Sequence, residues 1–213
     1  MMASRTLRIL VPGLLLPAVM RHAGGWAVIT VQDLPDYVEA GKPLELSYMV
    51  RQHGHTPLDQ LRGSIQATSG RLSATGTVSP GGKSGLYSAS VTLPSAGEWS
   101  ITIRSGFGNS DITLVPLTAV EHGNGLTRPL PDVERGRRLF VAKGCVTCHQ
   151  QIGVGPNLDG KRFEVAYISG FIANPPSTPS RPGGALMPNL GLQQREIASL
   201  VAYLNSDRQV ASR

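Results

Sequence analysis

Cysteine, aromatic residues and charge are all scarce in this chain. Its 213 residues include two cysteines, 5% aromatic residues and 16% charged residues, beside 25 glycines and 16 prolines. Two cysteines are too few for a disulfide framework or a four-cysteine zinc site. The glycine and proline content favours turns and strands over long solvated helices, and the length suits one or two folded domains.

Charge and catalytic side chains also exclude some functions. The 20 Lys and Arg residues against 14 Asp and Glu residues give a formal net charge of +6, which is not concentrated enough to predict nucleic-acid binding. The sequence shows no combination of acid, base and nucleophile that suggests hydrolysis or group transfer. We therefore expect no enzyme activity in the chain itself.

Both cysteines lie in one short segment, Cys145-Val146-Thr147-Cys148-His149. This spacing lets the two thiols bond to the vinyl groups of a haem while the adjacent imidazole binds the iron. A dithiol redox pair or a fragment of another metal site is the alternative, but neither uses a histidine directly after the second cysteine. The segment therefore predicts one haem c, attached covalently through Cys145 and Cys148, with His149 as an axial ligand.

A second axial ligand is expected on the opposite side of the iron, because a haem used for electron transfer commonly has one. Downstream of His149 the chain has no other histidine and a single methionine, Met187. Its loop contains Gly183, Gly184 and Pro188. The glycines have no side chain, so the backbone can approach the haem ring closely, and the proline restricts the backbone so that the loop can hold the sulfur in place. We predict Met187 as the sixth ligand, with core filling as the alternative for a buried methionine.

The haem motif and the segments around it resemble the class I cytochrome c family over about residues 130–207. The segment 132–140 is similar to the first helix of that family. On this helix Gly136 permits the close approach of the last helix, which is expected at 197–204. The resemblance implies an all-α cytochrome c domain at 132–207.

The resemblance also implies roles for single residues. Asp132 would be the N-cap of the first helix, and the carbonyl of Pro156 would orient the axial imidazole. Residues 163–175 predict a helix stopped by proline, whose apolar face, including Tyr167, would form a wall of the haem pocket. An ordinary core stripe is equally consistent with that face.

Two groups of basic residues lie near the haem motif. The first group consists of Arg135, Arg137, Arg138 and Lys143. We interpret these side chains as solvated helix charges, with steering of an acidic redox partner as the alternative. The candidate partners for haem propionates are Lys161, Arg162 and Arg181.

Residues 24–117 show the alternation that is typical of half-buried strands. Apolar residues at every second position include Leu44, Leu46, Tyr48 and Val50. About seven short strands, separated by glycine and proline, predict an all-β immunoglobulin-like sandwich. The Gly85-Leu86-Tyr87 and Gly97-Glu98-Trp99 segments resemble the small extracytoplasmic YtkA-like and FixH-like domains.

Two histidines of this domain are candidate copper ligands. His53 and His55 lie near Met49, and imidazole and thioether groups bind copper. A polar turn after a strand is the favoured interpretation of the pair.

The segments on either side of the sandwich domain have their own signals. Residues 1–23 resemble a secretory signal peptide or an N-terminal anchor, with Arg5 and Arg8 before an apolar run too short to span a bilayer. Residues 118–131, rich in glycine and proline, predict a linker that leaves the relative orientation of the domains loosely set. Because haem is attached to such motifs outside the cytoplasm, we expect the protein in the periplasm or at the extracytoplasmic membrane surface.

Together these features predict a multi-domain protein, with an N-terminal all-β immunoglobulin-like sandwich and a C-terminal all-α cytochrome c fold. We expect it to carry single electrons to or from a respiratory or dehydrogenase complex. Its partners would be redox proteins, and its N-terminus could associate with a membrane surface. A gas or redox sensor in which Met187 dissociates, and a copper-handling module with an accessory haem, are the alternatives.

Overall fold

The computed structural model describes residues 25–121, 123, 128–178 and 185–207. An N-terminal β-sandwich precedes a C-terminal helical domain, as the sequence predicts. The predicted leader at 1–23 lies outside the described residues. Within the described ranges, no helix has the length and apolar character needed to cross a bilayer.

The described part of the sandwich contains eleven strands in two sheets. The strands are β1 (Ala27–Val31), β2 (Tyr37–Glu39), β3 (Pro43–Gln52), β4 (Thr56–Pro57), β5 (Ser64–Ser69), β6 (Leu72–Thr75), β7 (Thr77–Pro80), β8 (Leu86–Thr92), β9 (Gly97–Arg104), β10 (Asp111–Thr113) and β11 (Leu117–Val120). One sheet has the order β1-β3-β8-β7, with β4 paired to β3. The other has the order β2-β11-β9-β5-β6, with β10 paired to β9.

Strand β3 shows how the sequence pattern produces the sandwich. Successive side chains of a strand point to opposite faces, so apolar residues at alternate positions share one face. The alternate residues Leu44, Leu46 and Tyr48 of β3 are all buried in the core. Across that core lie residues of the other sheet, including the fully buried Trp99 and Ile101.

The helical domain consists of three α-helices and one π-helical turn within the described residues. The helices are α1 (Asp132–Ala142), α2 (Val165–Ala173) and α3 (Gln194–Leu204), and the π-helical turn is Thr147–Gln151. Helices α1 and α3 pack closely, as predicted, because a Cβ added to Gly136 would lie 1.9 Å from the Ser199 carbonyl oxygen. The rings of Phe140 and Tyr203 meet beside this crossing, with their centroids 5.6 Å apart.

The starts of the helices differ in detail from the expectation. Pro131, not Asp132, occupies the N-cap position of α1, so the predicted N-cap is wrong. Proline suits such a helix start because the N–H that it lacks would have no partner in the helix anyway. Asp132 instead accepts a hydrogen bond from the Ser199 hydroxyl at 3.2 Å. Helix α2 begins after Glu164, whose carboxylate accepts from the backbone N–H groups of Ala166 and Tyr167.

The two domains are in direct contact, and the predicted loose orientation is wrong. Strand β11 ends at Val120, three residues inside the predicted linker 118–131. All five residues of β1 are buried, because one face of this strand packs in the sandwich core and the other faces the helical domain. Ala142, at the end of α1, is itself part of the sandwich core.

Three of the four clustered cations are buried at this contact. Arg135, Arg138 and Lys143 have relative exposures of 9%, 6% and 6%. Neither the solvated-helix interpretation nor steering of a distant partner therefore applies to them, because their charges are directed inward. Buried cations need close partners to offset the loss of water, and carboxylates and carbonyls of both domains provide them.

The partners of these cations connect the two domains. Arg135 donates two hydrogen bonds to the Asp36 carboxylate, at 3.1 and 2.7 Å. Arg138 donates to the backbone carbonyl of Asp36 at 2.9 Å. Lys143 donates to the backbone carbonyl of Gln32 and lies 2.8 Å from a Glu196 oxygen.

Candidate functional site

Two adjoining cavities mark the candidate site in the helical domain. The larger has a volume of about 560 Å³ and the smaller about 190 Å³. Cys145, His149 and Met187 border both of them, and Cys148 borders the larger. The tertiary structure thus brings together four residues that the sequence separates by as many as 42 positions.

The site begins where α1 ends. Lys143 is the C-cap of α1, and Gly144, with φ of 78°, turns the chain out of the helix. An L side chain rarely adopts this backbone conformation, whereas glycine does so readily. Cys145 follows directly, and the π-helical turn after it contains Cys148 and His149, so that both thiols and the imidazole border the larger cavity.

The ring of His149 is held in one tautomer by a backbone carbonyl. Its Nδ1 lies 2.8 Å from the carbonyl oxygen of Pro156. Since a carbonyl can only accept, Nδ1 carries the proton and Nε2 keeps its lone pair. A lone pair on Nε2 is what binding to a metal requires, and the structure brings Pro156 to the position that the resemblance implied.

The thiols lack the properties of a redox pair. Burial, with a smaller contribution from Cys148, raises the pKa of Cys145 to about 12, and burial also raises the pKa of Cys148. Reactive dithiol cysteines instead have a lowered pKa, because the thiolate is the nucleophile. The apolar surroundings that keep these thiols neutral suit a large apolar cofactor attached to them.

The predicted wall of the cavity is divided between two roles. Ile168 and Ile172 of α2 are buried in the helical core and also border the smaller cavity. Tyr167 and Phe171 border that cavity as well, with ring centroids 6.1 Å apart. Tyr167 is 64% exposed. The pocket-wall and core-stripe interpretations therefore both apply to Ile168 and Ile172, whereas Tyr167 borders the cavity from an exposed position.

The candidate propionate partners do not converge. Arg162 donates to the Asn205 carbonyl and to the Asp207 carboxylate, so its charge is used at the C-terminal end of α3. Lys161 is exposed in the loop before α2. Arg181 lies outside the described residues.

The candidate copper ligands also have separate partners. Met49 Sδ accepts a hydrogen bond from Arg51 at 2.9 Å, and the His53 ring packs on Trp26 with centroids 5.3 Å apart. His55 Nε2 lies 3.0 Å from the carbonyl oxygen of Leu186. The part of the chain that the structure describes contains no group of three or more His, Cys, Asp or Glu side chains able to hold a metal ion.

Val28 also borders the larger cavity, a position that the haem motif does not predict. It lies on β1, in a part of the sandwich with no haem motif. The signal was present, because residues 26–31 are apolar except for Thr30 and do not alternate with polar residues as β3 does. A continuous apolar strand indicates that both of its faces are covered.

The helical domain matches a known family. Residues 131–204 match the family described as cytochrome c oxidase, cbb3-type, subunit III. These residues form a c-type cytochrome domain. This domain binds haem c covalently, and a single domain is consistent with a single haem. The predicted multi-domain fold, a β-sandwich followed by a helical cytochrome c domain, is confirmed.

Comparisons with other known proteins give no further information about function. No curated protein matches the chain. A Lin-41 filamin domain is 15% identical with a TM-score of 0.35, covering 45% of this chain and 91% of that chain. Domains 4 and 5 of the S-layer protein SbsC are 23% identical with a TM-score of 0.32, covering 43% of this chain and 50% of that chain. At these scores the similarity carries no argument about function.

Proposed function

We propose that this protein is an extracytoplasmic monohaem c-type cytochrome that carries single electrons, with His149 and Met187 as the axial ligands of the iron. One observation carries the proposal. His149 and Met187 border the same two cavities as Cys145, and the carbonyl of Pro156 leaves the His149 Nε2 lone pair available. Imidazole and thioether together are a ligand pair typical of electron-transfer haems.

The residues around the cavities suit this role. When bound, haem c supplies an iron that changes between Fe(III) and Fe(II) by one electron. Cys145 and Cys148 would tether the ring, while Ile168, Phe171 and Ile172 would keep water from one part of it. Exclusion of water and a thioether ligand both favour the reduced iron and raise the reduction potential.

The partners and location follow from the same chemistry. A carrier breaks no bond in a substrate, so we propose that the protein is not an enzyme by itself. Its partners would be redox proteins of a respiratory complex, as the name of the matched family indicates, or of a dehydrogenase complex. We place it in the periplasm or at the extracytoplasmic membrane surface because c-type haem is attached there. The loose likeness of the sandwich to YtkA-like and FixH-like domains stays a prediction.

Replacement of Met187 tests the ligand assignment. In the wild-type protein we expect the methionine-to-iron charge-transfer band at the red end of the ferric spectrum. M187A should lose this band, and its midpoint potential should fall by on the order of 0.1 V because the thioether no longer favours the reduced iron. M49A, which removes a sandwich methionine away from the cavities, is the matched control and should keep the band.

One result would contradict the ligand assignment, and another would contradict the carrier. A band that persists in M187A would exclude this residue as the ligand. Rapid binding of carbon monoxide to the wild-type ferrous protein would favour a gas sensor, because the gas can bind only where the sixth ligand leaves readily.

A further inference from the structure

The sandwich contacts two segments of the cytochrome domain, and these segments flank the haem site. One is the pair Lys143-Gly144, directly before the first haem cysteine. The other is the Met187 loop, defined here as residues 185–190. Strand β1 contacts the first segment, and the turn between β3 and β4 contacts the second. Both places at which this chain would hold the haem therefore touch the N-terminal domain.

The first contact is a close approach of two backbones. A Cβ added to Gly144 would lie 2.4 Å from Val28 Cγ1 and 2.8 Å from the Ile29 carbonyl oxygen. Beside it, the Thr30 hydroxyl lies 3.5 Å from the Lys143 carbonyl oxygen. Only glycine permits this approach, and Val28 also borders the larger cavity. The start of the haem-attachment segment is thus packed against β1.

The second contact is made to the Met187 loop. His55 Nε2 lies 3.0 Å from the Leu186 carbonyl oxygen, and since that oxygen only accepts, Nε2 is the donor. On the other side of Met187, Pro188 Cγ would lie 4.0 Å from a Cβ added to Gly54. The turn of the sandwich therefore contacts the residue directly before the proposed sulfur ligand, and Gly54 of the same turn lies beside the residue directly after it.

The Met187 loop needs such support because its described residues belong to no helix or strand. A loop without ladder hydrogen bonds has more conformations to lose when it is ordered than a helix or strand that its own backbone already holds. A hydrogen bond from a second domain restricts those conformations. It would keep the sulfur near the iron without touching the metal itself.

We propose that the sandwich completes the haem site, and that His55 is a positioning residue that holds the Met187 loop through the carbonyl of Leu186. This inference rests on the proposed function, because it requires Met187 to be the axial ligand. It gives the N-terminal domain a role inside the redox centre, independent of any partner that the domain binds.

Three variants of the full-length holoprotein test this role. H55A removes the donor, whereas H55Q keeps an N–H donor at a similar reach. H53N is the matched control, because His53 lies in the same turn but packs on Trp26, and asparagine tolerates its positive φ of 52°. For each variant we would record the methionine-to-iron band during a guanidinium titration and the rate of carbon monoxide binding to the ferrous protein.

We expect H55A to lose the band at a lower denaturant concentration than the wild type. Its carbon monoxide binding should be roughly three- to ten-fold faster, the range expected for loss of one hydrogen bond that holds the loop. H55Q should restore most of the wild-type behaviour, and H53N should match the wild type. Global unfolding, followed by circular dichroism, should change less than the band.

Several outcomes would overturn the role of His55. If H55A matches the wild type while M187A loses the band, the ligand assignment stands and the positioning role fails. Equal effects of H55A and H53N, or no recovery in H55Q, would assign the change to the turn in general rather than to this hydrogen bond. A wild-type spectrum without the methionine band would reject both the ligand and its positioning residue.

Discussion

At the level of single residues, two stacked tyrosines in the sandwich core differ in whether their hydroxyl groups have hydrogen-bond partners. The rings of Tyr48 and Tyr87 have centroids 5.6 Å apart. The Tyr87 hydroxyl donates to the Leu58 carbonyl at 2.7 Å and accepts from the Leu61 N–H at 3.1 Å. The Tyr48 hydroxyl is buried without a hydrogen-bond partner among the described residues. Burial raises its pKa to about 12, because the charged form would lose its water.

Replacing each tyrosine by phenylalanine should therefore give opposite results. Y87F leaves the carbonyl of Leu58 and the N–H of Leu61 without their partner, and we expect a loss of about 1–2 kcal/mol in the free energy of unfolding. Y48F removes a hydroxyl that is already unpaired, so it should be neutral or stabilising by up to about 1 kcal/mol. Urea unfolding of the two variants measures both values. A Y48F variant as unstable as Y87F would show that the Tyr48 hydroxyl has a partner in solution.

At the level of secondary-structure elements, helix α1 packs closely against helix α3 in the cytochrome domain. Gly136 lies at a close approach of the two helices, against the Ser199 carbonyl. Gly170 is the corresponding glycine of α2, but a Cβ added there would meet nothing within 4 Å. The two glycines are therefore in the same kind of element and in opposite packing environments.

Alanine at these two positions should separate helix propensity from packing. G136A places a methyl group against backbone that cannot rotate away, and we expect a loss of about 1–3 kcal/mol in the free energy of unfolding. G170A should instead stabilise the protein by about 0.5–1 kcal/mol, because alanine costs less entropy in a helix. Thermal and denaturant unfolding of the holoprotein checks the signs. Stabilisation by G136A would mean that α1 and α3 are farther apart than described.

At the scale of the whole molecule, an ion pair joins the loop after β1 to helix α1. Asp36 and Arg135 are 99 residues apart in sequence, and two hydrogen bonds connect their side chains. The hydrogen bond and charge of Arg135 hold the pKa of Asp36 below its ordinary value of 3.8. Desolvation opposes this shift, and Arg195 contributes to it.

This lowered pKa predicts how the domain contact depends on pH. A carboxylate whose folded-state pKa is lowered contributes stability above its unfolded pKa, and this contribution is lost as the pH falls through the folded value. We expect wild-type stability to fall as the pH drops below about 3.8, and D36N should show a smaller loss over the same range. D33N changes an exposed carboxylate in the same loop and should behave like the wild type.

Measuring the free energy of unfolding against pH for the three proteins tests this expectation. The difference between D36N and D33N isolates the contribution of Asp36, because other carboxylates whose pKa is lowered, such as that of Glu134, titrate in all three proteins. Equal curves for D36N and D33N would exclude a role for the ion pair in solution.

Several features of the fold and of the haem site could be predicted from short-range spacing alone. The cysteines and the histidine need only adjacency to hold a haem, and the apolar alternation of β3 needs only neighbouring positions to define a buried face. The apolar spacing of Ile197, Leu200 and Leu204 likewise needs only neighbouring turns of one helix to indicate α3. These features could be predicted because each one depends on residues within a few positions of one another.

The meeting of the two domains at one site, in contrast, could be recognised only in the folded molecule. His55 and Leu186 are 131 residues apart, and nothing in either local sequence indicates that they meet. The same holds for Arg135, which the local pattern places on a solvated helix surface and the fold buries against Asp36. Contacts of this kind depend on the packing of one finished domain against another, and local sequence patterns carry no information about which surfaces meet.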